Sequence, residues 1–342
     1  MIRLQPQPMD TVADLRQALQ KAIELEFSTL PPYLYAGFTI RDGTNEAARR
    51  CLGAIVGEEM IHMALACNIL NAIGGAPVLA HASVVPIYPG PLPYDIGAEG
   101  AEPFRVSLLP FSPEAMAQGM HIEEPEDPLV FPEAAALGLA PAYQTIGQFY
   151  RALDQALGDL PTDVWSATPR NQLTGHPFFA GELFPVTGYQ TASEAIRRIV
   201  SDGEGNTKSP LDFEGELAHY YRFEEIHRDQ MLQKDSGVPE GFSWGDRLGV
   251  DWSAVVPAIA DPGAYDFSGD PPAQAAQDEC DRAFTAMLHE LERAVNGRLG
   301  RLGNAVRAMF DLRLAARAAL AVPLAGGDRS AGPAFRFRTD LA

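Results

Sequence analysis

The chain's 342 residues suffice for two domains or one elaborate one, and its 46% hydrophobic content is ordinary for a soluble globule. Lys and Arg number 26 against 45 Asp and Glu, a formal charge of −19, which excludes nonspecific binding to nucleic acid or to an anionic membrane for want of basic patches. Of the three cysteines, Cys51 and Cys67 share an expected helix and lie roughly 24 Å apart at about 1.5 Å per residue, too far to bridge, and with Cys280 as the third no disulfide framework is visible.

In chain order, a first helix is expected over 11–40, with Asp10 or Thr11 as its N-cap. Pro31 and Pro32 fall inside it. Neither donates a backbone bond, so the carbonyls of Phe27 and Ser28 are freed and a kink is expected. A second helix is expected over 45–73, stopped by Gly74-Gly75. Residues 76–142 turn rich in Pro and Gly, with short apolar runs at 84–88 and 104–109; they read as a long insertion with two short strands. Helical pattern returns at 142–157, gives way to a second insertion over 159–190, and resumes at 192–201 and 211–234. Residues 236–272 read as an irregular linker and 273–320 as two helices joined near 297–303, with a loose tail after Pro323. The fold class expected is all-α: a helical bundle over 1–235, and over 236–342 a linker plus a C-terminal helical pair packed on it. The N-terminus lacks the apolar run of a signal peptide, and no stretch reads as apolar enough to span a bilayer, since even 312–324 carries arginines. A cytoplasmic location is expected.

Helical arithmetic at about 100° per residue separates buried acids from solvated ones. On the second helix Glu59 and His62 fall in the middle of a stripe made by Leu52, Ile55, Ala66, Ile69, Leu70 and Ile73, while Glu58 lies near its edge. On the first, Glu26 shares a face with Leu15, Leu19, Ile23, Leu30 and Tyr33, and Glu24 points away to solvent. On the 211–234 helix, Glu216, His219, Phe223 and Ile226 share a face; a second Glu-x-x-His, Glu224 to His227, is a competing pair. Glu204, between two glycines after the 192–201 helix, is the best remaining acid, although angle alone does not place it. His121-Ile-Glu-Glu124 reads as a surface loop within the insertion.

Glu-x-x-His puts a carboxylate and an imidazole side by side on one helix face. Burying such groups is costly unless cations compensate them. One Glu from each of two helices and Glu-x-x-His from two others is the ligand pattern of dinuclear iron or manganese sites in bundles. Glu26, Glu59, His62, Glu204, Glu216 and His219 supply four carboxylates and two imidazoles. The alternative is a bundle whose buried acids are merely hydrogen-bonded. Zinc suits the set poorly, since its structural sites prefer cysteine. Two iron ions fit it, with manganese as the alternative metal. Tyr33 and Tyr220 are candidates to support the ligands from behind. The Pro31-Pro32 kink, about one turn beyond Glu26, offers a passage to the centre.

At these residues the chain resembles the ferritin-like superfamily. Glu58-Glu-Met-Ile-His62-Met-Ala64 is similar to its second-helix ligand motif, and Glu26 with Tyr33 seven residues on is similar to the first. More narrowly, the stretches 22–34, 58–77, 203–205 and 216–223 resemble the ferritin-like family that includes a domain of the violacein-pathway iminophenyl-pyruvate dimer synthase. The resemblance implies a ferritin-like four-helix bundle with long irregular insertions. It favours Glu204 and the Glu216/His219 pair. It implies a metal-dependent oxidoreductase of biosynthesis, acting on a small, amino-acid-derived molecule with dioxygen or peroxide as oxidant. Iron handling, as a ferroxidase or storage protein, and a metal-free scaffold are the alternatives; long insertions argue against storage, whose subunits must tile. Monomer and homo-oligomer are left open by the sequence.

Overall fold

The computed structural model describes residues 9–93, 96, 103–126, 145–179, 181–206 and 208–341. Helix α1 (Val12–Thr39) opens on a capping box: the Thr11 hydroxyl accepts from the Asp14 N–H, and the Asp14 side chain accepts from the Thr11 N–H. Pro31 and Pro32 do not end it. The Ser28 carbonyl, which Pro32 cannot serve, accepts instead from the Tyr88 hydroxyl at 2.7 Å. Helix α2 (Glu46–Ala72) ends where Gly74 takes a φ of 72°, a conformation that favours glycine. Contrary to the sequence expectation, α2 is long and apolar enough to cross a membrane by composition alone. Most of that apolar window is buried inside the protein, so it is a core helix.

The 76–142 insertion differs from its expectation. Strands β1 (Gly90–Pro91) and β2 (Arg105–Val106) pair antiparallel, but the 84–88 run is no strand. A helix that was not expected, α3 (Pro113–Ile122), follows, capped by the Ser112 hydroxyl with Pro at its first position. Helix α4 (Ile146–Gly158) begins later than expected, residues 142–144 lying outside the described residues. Helix α5 (Tyr189–Glu204) runs three residues beyond its expected end and α6 (His219–Arg228) starts eight residues late. A hairpin of β3 (Leu232–Lys234) and β4 (Phe242–Trp244) precedes α7 (Pro271–Val295) and α8 (Leu302–Leu320).

Helices α1 and α2 form the central pair. The α4–α5 pair packs on both, α3 packs on α6, and the α7–α8 hairpin closes the remaining side. The tail is not loose. Phe335 is 1% exposed and stacks edge-on against Phe284, while the Gln277 amide donates to the Gly332 carbonyl and Arg336 pairs with Asp281. Glu24 is not solvated either: it is buried and paired with Lys21.

Candidate metal centre

Five buried ligand groups converge between α1, α2, α3 and α6. Glu26 comes from the middle of α1, and Glu59 and His62 from one face of α2. Glu123 is the residue that ends α3, and His219 is the first residue of α6. None of the five is more than 4% exposed. Their ligand atoms form two groups, Glu26–Glu59–His62 and Glu59–Glu123–His219, each with all atoms within 4.8 Å of one another. Glu59 belongs to both.

The two imidazoles are arranged alike. His62 turns Nδ1 inward, 3.5 Å from Glu59 and 3.7 Å from Glu26, while Nε2 lies 3.0 Å from Asp202. His219 turns Nδ1 inward, 2.9 Å from Glu59 and 3.7 Å from Glu123, while Nε2 lies 2.7 Å from Glu58. The rings stack with centroids 5.5 Å apart. Each outer carboxylate is itself held by an arginine, Asp202 by Arg198 and Glu58 by Arg222. An outer carboxylate that accepts from Nε2 leaves the Nδ1 lone pair free to face inward, the tautomer a metal ligand needs.

The inner carboxylates are also supported from behind. The Tyr150 hydroxyl donates to Glu26, the Thr29 hydroxyl to Glu59 at 2.8 Å and the Tyr33 hydroxyl to Glu123 at 2.5 Å. Burial, the largest influence on Glu26, and the neighbouring Glu59 charge push its carboxyl up to about 8. Burial also pushes Glu59 up, but the neighbouring imidazoles of His219 and His62 outweigh it and hold Glu59 well below the usual carboxylate range. Burial disfavours charge on His62, yet Asp202 and Glu59 outweigh it and raise the imidazole to about 10. His219 is raised likewise: burial opposes its charge, and Glu123, Glu58 and Glu59 overcome that opposition. So much anion in one water-poor place binds cations, protons where nothing else is available.

These residues are compatible with a site for hard divalent metal. Three inner carboxylates and two inward Nδ1 atoms are donors of the kind that iron and manganese take in helical bundles, one carboxylate short of the full pattern of four. Among the described residues His219 Nδ1 is buried without a hydrogen-bond partner, although Glu59 stands 2.9 Å away. Two ligand atoms that are close but not aligned on each other suit a shared third point.

The structure brings Glu26, Glu59, His62 and His219 of the expected set together, and separates two others from them. Glu216 is exposed and precedes α6, in a tight turn where Asp212 Oδ1 accepts from the N–H groups of Glu214 and Glu216 and Gly215 has a φ of 86°. This Asx-type turn outcompetes the helix that periodicity suggested, so the 216–219 spacing is not helical. Glu204 ends α5 beside the cluster rather than inside it. It accepts from the Gly147 N–H at 2.6 Å, at the start of α4. Burial, only partly opposed by the bonds from Gly147 and Thr145, raises it to about 7. Tyr220 packs against Tyr221 and the cluster around Leu232, away from the inner carboxylates, and Tyr150 supports Glu26 instead. Glu224 is buried against Arg228 and His227 is exposed.

The sequence places Glu123 in a surface loop, whereas the structure puts it at the end of α3 and on the cluster. The signal that reveals it is the Ser112-Pro113-Glu114 helix start, after which Ala115, Met116, Gly119, Ile122 and Glu123 follow at helical spacing. Asp202 and Glu58 have no comparable signal, since their role depends on which helix faces them.

A family model described as Ferritin-like matches residues 19–228, which hold the whole cluster. The chain belongs to the ferritin-like family. Its similarity extends to 2-imino-3-(indol-3-yl)propanoate dimerase of Chromobacterium violaceum, 28% identical over 67% of this chain. It extends also to dichlorochromopyrrolate synthase of Lentzea aerocolonigenes, 22% identical over 96% of this chain. The matches span 24% and 36% of those proteins' lengths. A ferritin-like protein from Caulobacter vibrioides superposes with a TM-score of 0.64 at 22% identity, covering 97% of this chain and 100% of that one. The all-α ferritin-like fold expected from the sequence is therefore the fold of the chain.

Proposed function

We propose that this ferritin-like protein is a dinuclear-metal oxidoreductase, with two iron ions held by Glu26, Glu59, His62, Glu123 and His219. Its substrate is a small, amino-acid-derived molecule and its oxidant dioxygen or peroxide. The observation that carries the reading is Glu59, whose carboxylate belongs to both ligand groups as a bridge does. Two relatives named for small-molecule reactions, a dimerase and a synthase, support an enzyme of biosynthesis. Bound there, two ferrous ions would supply the electrons and Lewis acidity for oxidation.

The chain's own residues do the rest. Glu59 sets the spacing of the two ligand groups, and Thr29 fixes its orientation. Tyr150 and Tyr33 pin Glu26 and Glu123. Asp202 and Glu58 hold the imidazoles with Nδ1 inward. Burial keeps bulk water from the reacting groups. In this reading residues 1–235 are the metal-binding bundle and 236–342 cover one side of it.

Anaerobic ferrous titration followed by oxygen exposure tests it. Two equivalents bound per chain, with oxygen uptake that accelerates in the presence of an amino-acid-derived imine or 2-oxo acid, is the expected outcome. Growth of a ferric mineral core, or uptake indifferent to organic substrates, contradicts it.

A further inference from the structure

A cavity of about 550 Å³ lies between the α1–α2 pair and the α7–α8 hairpin. Its walls are apolar: Leu30, Leu52, Met60, Met63, Met287 and Leu291 among them. Its solvent-facing lining is cationic. Arg41, Arg49, Arg313 and Arg317 border the cavity, with Asp42 as the one acid on it among the described residues. Asp42 pairs with Arg49 and Arg317, while among the described residues neither Arg41 nor Arg313 has an ion pair. Four guanidinium groups against one carboxylate is a marked local excess in a chain of formal charge −19.

Two helix-interior glycines sharpen the picture. Gly37 of α1 and Gly53 of α2 both line the cavity, and a Cβ at either would meet nothing within 4 Å. Glycine inside a helix costs stability relative to alanine, so its use at two positions on one cavity keeps space open at a cost to both helices. An apolar cleft of this size with a few convergent polar groups is the usual form of a small-molecule site.

We propose that this cavity binds an organic anion with an apolar body, its carboxylate or sulfonate held by the rim arginines and its body against the methionine and leucine walls. Guanidinium groups suit such an acid because they bind it through paired hydrogen bonds as well as charge. The site does not depend on metal at Glu59. It does share Tyr33 with the candidate metal centre, for Tyr33 lines the cavity and donates to Glu123.

The test is fluorescence titration of the full chain, metal-free and metal-loaded, with 8-anilino-1-naphthalenesulfonate, and its displacement by dodecanoate. The neutral N-phenyl-1-naphthylamine is the control probe. One saturable site in both forms is expected. Joint substitution of Arg41→Glu and Arg313→Glu, both exposed, weakens the sulfonate about tenfold or more while the neutral probe binds as before. Gly37→Phe fills the cavity and abolishes binding of both probes, with the melting temperature and helical circular dichroism retained. The proposal is overturned by non-saturable binding, by equal sulfonate affinity in the double arginine variant, or by undiminished binding in Gly37→Phe. It is overturned too if ultracentrifugation shows a dimer that buries the exposed Phe310 and Leu314 and excludes the probes.

Discussion

At the scale of single residues, the candidate centre is a problem of orientation. A free imidazole has two nitrogens and two faces; His62 and His219 are each fixed by one carboxylate behind Nε2. Asp202→Asn and Glu58→Gln keep the shape and remove the charge. Each is expected to lower iron affinity about 10–100-fold while the fold survives, which competition against a chromogenic chelator measures. Protonation follows the same logic. His62 titrates near 10 and Glu26 near 8 in the metal-free protein, both above their ordinary values of 6.5 and 4.5. Each therefore contributes stability that is fully present below its ordinary value and is lost as pH rises through its raised one. The metal-free protein is expected to lose melting temperature progressively between about pH 4.5 and 10, most steeply between about 6.5 and 8 where both groups contribute, and metal uptake at neutral pH to release protons. Melting curves with and without chelator across that range check the first, and calorimetry in buffers of different ionisation enthalpy checks the second. An equally steep loss in the loaded protein contradicts this account.

At the scale of elements, two helices show how local chemistry decides what reaches the site. In α1 the proline pair sits one turn from Glu26 without ending the helix, because Tyr88 serves the Ser28 carbonyl. Tyr88→Phe leaves that buried oxygen without its donor and is expected to cost about 1–3 kcal/mol, read by denaturant unfolding. Replacing Pro31 and Pro32 with alanine is expected to change substrate access, read as KM, more than metal content. In α6 the outcome went the other way. The stripe containing His219, Phe223 and Ile226 was legible in the sequence, but its start was not. Periodicity carried it back to Glu216, whereas the Asp212 side chain satisfies the backbone of 214 and 216 and holds a turn there. The first two helices were legible to within a residue or so because long apolar stripes agree with the Thr11 capping box of α1 and the Gly74 stop of α2. Helix α3 was hidden among prolines, and with it Glu123, because composition over a long window masked a short, well-capped helix.

At the scale of the whole molecule, the bundle is clamped by parts distant in sequence. The Tyr35 hydroxyl of α1 donates to the Ile259 carbonyl, and Phe335 of the tail packs between Phe284 and the core. A sequence of small and charged residues such as 325–333 shows no apolar period, so it reads as loose; only the contacts with α7 reveal that the tail is held, Gln277 donating to the Gly332 carbonyl while Asp281 and Thr285 accept from the N–H groups of Arg336 and Arg338 just beyond. Phe335→Ala is expected to destabilise the protein by about 3–5 kcal/mol, more than any exposed α8 substitution, as read by thermal and urea unfolding. Loss of under 1 kcal/mol would mean that the tail is not clamped in solution.

The central claim, that buried acids and imidazoles from four helices converge because cations hold them, meets its most direct test in the metal content of the purified chain and two variants. Elemental analysis is expected to give two metal equivalents for the unaltered protein and for Glu216→Ala, and fewer than two for Glu123→Ala. No stoichiometric metal in the unaltered chain, or a loss in Glu216→Ala that spares Glu123→Ala, contradicts it.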